Sequence, residues 1–165
     1  MIAVPWQLQT YVCLRTSMPR PWSKLQKEFY LLRADGLNLQ LQCRTYRMKS
    51  QRGSRACPRY WVTLGHEIIW DYPKDFIDKP HAERVAPSWY PYGTDIPDIS
   101  NLIREYIDTP ATEILNKVFE NDHWGLVNIL RAADKRIGAR RLPELRRKTG
   151  NKAAPKVIDA RQHAL

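Results

Sequence analysis

Residues 37–48 read LNLQLQCRTYRM. Leu37, Leu39, Leu41 and Cys43 alternate with Asn38, Gln40, Gln42 and Arg44, a period of two that sets one row against a core and the other in water. Further on, YWVTLGHEIIW at 60–70 holds two runs of strand formers, Tyr60 to Thr63 and Ile68 to Trp70. Gly65 between them suits the positive φ of a tight hairpin turn. Three antiparallel strands joined in chain order are therefore expected. Upstream, residues 23–34 carry Leu25, Phe29 and Leu32 at helical spacing, and Trp22 can pack over the first turn. Ser23 and Gln26 have the spacing of a capping box, and Gly36 stands where the helix should end. This helix is expected to cover the sheet. Between the strands, KSQRGSRACPR at 49–59 is polar and basic with Gly53 and Pro58, and reads as an exposed connection.

Downstream, Pro73, Pro80, Pro87, Pro91 and Pro97 forbid a long helix across residues 71–98. With Trp89, Tyr90 and Tyr92 among them, the stretch reads as an aromatic-anchored loop wrapped over the sheet. Asp98 or Ser100 opens a helix whose Leu102, Ile103, Tyr106 and Ile107 share a stripe. Thr109 and Pro110 form an N-cap and first-turn proline for another, with Ile114, Leu115, Val118 and Phe119 on one face. Asp122 caps a third, burying Leu126, Ile129, Leu130 and Ala133, with Gly138 near its end. Pro143 starts a short helix reaching Thr149. Asn151 and Pro155 start the last, with Val157 and Ile158 buried. The expected class is α+β: an N-terminal helix packed on a small three-stranded antiparallel sheet, followed by a helical C-terminal half. At 165 residues one domain is expected, over 18–165. Residues 1–17 lack a clean period and precede Met18, so they read as a poorly ordered leader or an over-called start.

Charge is segregated along the chain. Residues 1–60 hold 11 Lys/Arg against two Asp/Glu, residues 61–124 hold five against 12, and residues 125–165 hold 11 against three. The net charge of +10 raises affinity for polyanions in general. The basic–acidic–basic layout offers either two basic surfaces or an acidic middle that neutralises one of them. Cys13, Cys43 and Cys57 are odd in number and lack paired spacing, so no disulfide framework or zinc ribbon follows and a reduced, cytoplasmic setting is expected. No apolar run approaches the ~18–20 residues of a membrane span. No membrane association and no cofactor are expected.

Three stretches carry a family resemblance: PWSKLQKEF at 21–29, YWVTLGHEIIWDYPKDF at 60–76 and WGLVNILRAADKRIGARRLPEL at 124–145. They resemble a family of small uncharacterised bacterial proteins with a W-S-K-L opening, a W-[IV]-T-x-x-x-E-I strand pair and a closing A-A-D-[KR]-R-[IL]-G-x-R-R-L segment. The resemblance spans roughly residues 18–161. It implies a bacterial, cytosolic, single-domain protein and no particular activity.

Signals for catalysis are thin. His66, His81, His123 and His163 form no H-E-x-x-H pair. His66 and Glu67 with Asp71 and Asp75 offer an acid–base cluster for a small hydrolase, against the simpler reading of a polar turn. Asp71, Asp75 and Asp78 with His81 and Glu83 match no calcium loop and have Lys74 and Lys79 between them, so a solvated loop is expected rather than a metal site. Cys57 lies between Arg55 and Arg59, which would favour its thiolate, but no histidine partner is apparent. No phosphate-cradling glycine loop and no nucleophile elbow occur.

The basic stretches are the stronger signal. Arg44, Arg47, Lys49, Arg52, Arg55 and Arg59 lie within 16 residues, interleaved with Tyr46, Tyr60 and Trp61. That mixture suits phosphate contacts and base stacking. Arg131, Lys135, Arg136, Arg140, Arg141, Arg146, Arg147 and Lys148 crowd the second stretch, where Arg131 and Lys135 are expected to share a helical face. A helix–turn–helix with Gly138 in the turn is a further reading of that segment. The expectation is a non-enzymatic protein that binds nucleic acid through both stretches. The alternative is an interaction module for an acidic protein partner, anchored by Trp89, Tyr90 and Tyr92. Solvated charged faces are the simplest account of either stretch.

Overall fold

The structure, a computed structural model, describes residues 21–50, 53–72, 96–122 and 125–164, with side chains over 21–46, 58–72, 99–122 and 125–164. The expectations for residues 1–17 and for the loop at 73–95 fall outside the described residues.

Helix α1 (Trp22–Leu32) buries Leu25 and Phe29. Its start differs from the capping-box expectation: the N-cap is Pro21, with no side-chain cap. Gln26 is drawn away, its Nε2 donating to the Leu41 carbonyl at 2.6 Å. The Tyr30 hydroxyl also reaches Leu41, accepting from its N–H at 3.2 Å. These bonds hold α1 on the edge strand of a three-stranded antiparallel sheet of order β1–β2–β3, with β1 Leu39–Ser50, β2 Gly53–Leu64 and β3 Glu67–Tyr72. Leu37, Leu39 and Leu41 are buried, as their alternation predicted. Gly65 takes the turn between β2 and β3 at φ 59°.

The connection expected over 49–59 is instead the distal part of a long β1–β2 hairpin, paired from Leu39↔Leu64 to Ser50↔Gly53. Polar side chains do not prevent this, because the ladder is made by backbone groups that pair irrespective of side-chain polarity. Pro58 sits in β2 beyond Tyr60, the last β2 residue paired to β3, where a missing N–H is tolerated.

Helix α2 (Ile96–Asp108) begins two residues earlier than Asp98, with Pro97 in its first turn, where no intrahelical N–H is required. Ile99, Leu102, Ile103 and Tyr106 are its buried stripe. The helix expected after Pro110 does not form; residues 111–116 make turns, and Val118 is 81% exposed. Two contacts account for this. The Thr109 hydroxyl donates back to the Glu105 carbonyl at 2.6 Å, so it caps the end of α2 rather than a new start. The Arg131 guanidinium takes the carbonyls of Ile114 and Lys117 at 2.8 and 2.6 Å, satisfying groups a helix would have paired internally.

Helix α3 (Leu126–Ala133) buries most of its length; its N-cap is Gly125 rather than the expected Asp122, which reaches in from three residues earlier, its Oδ2 accepting from the Val127 N–H at 3.3 Å. A single 3-10 turn (Ala139–Arg141) leads into α4 (Leu142–Lys148) and α5 (Ala153–His163). Asn151 serves both α3 and α5, its amide donating to the Gly125 carbonyl at 2.7 Å while its carbonyl accepts from the Ala153 N–H at 2.7 Å. Gly125 has φ +71°, and a Cβ there would stand 2.9 Å from the Asn151 amide nitrogen. Gly125→Ala is therefore expected to destabilise by at least about 1–2 kcal/mol, read as a lower urea midpoint at unchanged slope. The two halves of the chain are joined where the ends of α1 and α3 meet. There the Ala34 N–H donates to the Ala133 carbonyl at 2.7 Å and the Lys135 N–H to the Leu32 carbonyl at 2.8 Å.

Candidate nucleic-acid interface

Because side chains alternate along a strand, β1 turns Gln40, Gln42, Arg44 and Tyr46 to the face of the sheet opposite the core, with Trp61 and Arg59 beside them on β2. Gln42 faces Trp61 across the strands, and Arg44 faces Arg59. Two like charges so placed repel. The fold resolves the conflict by treating them differently. Arg44 stays exposed, its guanidinium 5.4 Å from the Tyr46 ring centre. Arg59 is only 3% exposed. Its Nε and Nη2 donate to the two oxygens of Asp71 at 2.9 and 2.7 Å, a two-pronged ion pair along β3. Burial works against the Arg59 charge, and the Asp71 carboxylate outweighs it, so the guanidinium is held above its ordinary range. The same guanidinium lies 4.7 Å from the Trp61 ring centre, a cation–π contact that fixes one side of the indole. Sequence reasoning placed Arg59 with the phosphate-binding arginines; on this face the structure instead buries it, paired with Asp71 and set against the Trp61 ring. Arg52 and the side chains of Arg47, Lys49, Arg55 and Cys57 lie outside the described residues.

The second basic stretch divides more sharply. Asp134 is fully buried and accepts from the Tyr106 hydroxyl at 2.8 Å and from the Arg136 guanidinium at 2.7 to 3.1 Å. Arg136 also donates to the Thr109 carbonyl at 2.7 Å. Arg161, 6% exposed, closes the other side by donating to the carbonyls of Ala132, Asp134 and Ile137. Burial, then the neighbouring Asp134 charge, pushes the Tyr106 hydroxyl well above its usual range, so it remains a donor. Burial lowers the pKa of both Arg131 and Arg161. Arg131 and Arg136, half-buried, and Arg161, buried, thus bind backbone carbonyls and a buried carboxylate. Lys135 does not share a helical face with Arg131, since α3 ends at Ala133; it is exposed, 3.8 Å from Asp35. Arg140, Arg141 and Arg147 are exposed around the 3-10 turn and α4. Arg146 pairs with Asp159 on α5 at 2.5 and 3.0 Å, and Lys148 with Glu144.

Few ion pairs among the described residues link a basic block to the acidic middle. Arg59–Asp71 is one and Lys156–Glu67 the other. Lys135–Asp35 joins the two basic blocks to each other, and the other pairs, including Lys117–Glu105 at 2.9 Å, form within a block.

The groups considered for catalysis are dispersed or occupied. His66 is exposed in the β2–β3 turn, Glu67 meets Lys156, and Asp71 is engaged by Arg59. Asp75, Asp78, His81 and Glu83 lie outside the described residues. Burial pushes the Cys43 thiol up to about 11, so it stays protonated and weakly nucleophilic. Among the described residues no three His, Cys, Asp or Glu side chains gather closely enough to hold a metal ion, and no helix is long and apolar enough to cross a membrane.

The model of the SF0329 protein family matches residues 21–161. The chain belongs to that family. The matched span runs from the residue before α1 almost to the end of α5, so this SF0329-family fold includes the sheet, the buried Asp134 cluster and the exposed arginines of α4. The family is uncharacterised. No curated protein and no solved structure matches the chain.

Proposed function

We propose that this chain is a non-enzymatic, nucleic-acid-associated protein of the bacterial cytoplasm. The observation that carries the reading is the outer face of the sheet. It presents an exposed Arg44, two glutamines and half-exposed Tyr46 and Trp61 side by side, the donor and ring chemistry that phosphates and bases meet. Arg140, Arg141 and Arg147 supply a second exposed basic segment, and the sequence between Tyr46 and Cys57 adds Arg47, Lys49, Arg52 and Arg55. Arg59, Arg131 and Arg136, engaged by Asp71, backbone carbonyls and Asp134, contribute by holding the fold.

The experiment is an affinity series against a labelled oligonucleotide at rising salt. Four phosphate contacts predict a loss of about a hundredfold in affinity between 50 and 200 mM monovalent salt. Arg44→Ala should weaken binding and flatten that slope by about one contact. A binding constant that barely moves with salt would remove this function.

A further inference from the structure

Resting on that reading and narrowing it, we infer that the outer sheet face takes unpaired nucleotides: a base stacked on Trp61, its edge met by Gln40 and Gln42, and the adjoining phosphate on Arg44. The register sets these groups together. Trp61 lies directly opposite Gln42, and Arg44 lies two residues further along the same face, about 7 Å away. One face of the indole is backed by Arg59, which is locked by its two bonds to Asp71, so the ring is held in a fixed attitude before any ligand arrives. A ring fixed in advance loses little freedom on stacking, which favours affinity. Gln42 Nε2 donates to Gln40 Oε1 at 2.8 Å. That bond orients the amide pair and leaves the Gln40 amino group and the Gln42 carbonyl as one donor and one acceptor toward a base edge.

Duplex nucleic acid does not fit this arrangement. The major groove admits a helix or a two-stranded ribbon; around Trp61, which pairs with both Gln42 and Asp71, the sheet is three strands wide and too broad to enter it, although the hairpin beyond Tyr60 is two-stranded. In a duplex the base faces are stacked on one another and cannot reach an indole. Unpaired nucleotides expose both the ring face and the hydrogen-bonding edge.

The test uses the full chain at one fixed, moderate salt concentration. Fluorescence anisotropy compares labelled 12-nucleotide oligouridylate, 12-nucleotide oligothymidylate and a blunt 12-base-pair DNA duplex. Binding of the single strands at least tenfold tighter than the duplex is the expected result. Trp61→Leu, which keeps apolar bulk without a stacking face, should lose about tenfold for single strands, and Trp61→Phe should recover most of that loss. Thermal melts of both variants establish that they are folded. Duplex binding as tight as single-strand binding, or a folded Trp61→Leu that binds single strands like the parent, overturns this inference while leaving nucleic-acid association standing. Absence of binding to all three probes overturns both.

Discussion

Asp134→Ala is expected to lower the free energy of unfolding by about 3–5 kcal/mol, the usual cost of removing one partner from a buried ion pair. Asp134 has no solvent exposure, and both its oxygens are occupied. Its loss leaves the Tyr106 hydroxyl, itself buried, without its acceptor, and frees an Arg136 guanidinium that retains only carbonyl contacts. The site also lies at the junction of the chain's two halves, where Asp134 pairs with Arg33 through the backbone. For a domain whose total stability is about 5–15 kcal/mol, such a loss is a large fraction of the whole. Urea denaturation followed by far-UV circular dichroism reads it directly, as a lower midpoint with unchanged slope. A change below about 1 kcal/mol would show that the cluster selects this packing without stabilising it, a role buried ion pairs play in some proteins.

Asp71→Ala is expected to cost about 3 kcal/mol, because it removes the carboxylate that takes two bonds from an Arg59 guanidinium in a nearly dry position. This substitution also separates two roles for Arg59. If Arg59 braces Trp61, removing the acid loosens the indole and weakens oligonucleotide binding along with stability. If Arg59 bound phosphate itself, removing the neighbouring acid would free a cation and strengthen binding. Measuring the urea midpoint and the oligonucleotide affinity of the same variant decides between them: both fall in the first case, and a gain in affinity assigns Arg59 to the ligand in the second.

The sheet and most helical stripes were legible because they rest on local pattern. Leu37, Leu39 and Leu41 alternate with polar residues, and the buried row is the alternating one. Leu102, Ile103 and Tyr106 recur at helical spacing and are buried as a stripe, with Ile107 packed at its edge. The misreadings share a different origin. The arms of the β1–β2 hairpin over 49–59 looked like a loop because their side chains are polar and include Pro58, whereas the pairing is made by the backbone. The segment after Pro110 carried good helix signals, and its carbonyls were taken by an arginine from a later helix. Nothing within the segment announces that partner.

The candidate interface was half legible for a related reason. Arg44, Gln40 and Gln42 follow from strand alternation alone, which assigns each residue a face, whereas Trp61 joins them only through the register of β2 on β1. The RAADKRIGARRL run at 131–142 read as one basic surface, since eleven Lys/Arg in 41 residues outnumber the acids almost fourfold. The fold turned part of it inward around a single carboxylate. What the sequence by itself determined was the set of elements and the wet face of the sheet, because hydrophobic period is a property of neighbours along the chain. Which arginines remain at the surface was decided only by the tertiary structure. A guanidinium is retained in the interior when the fold brings it enough acceptors, and those came from Asp71, 12 residues from Arg59, and from Ile107, 29 residues from Arg136.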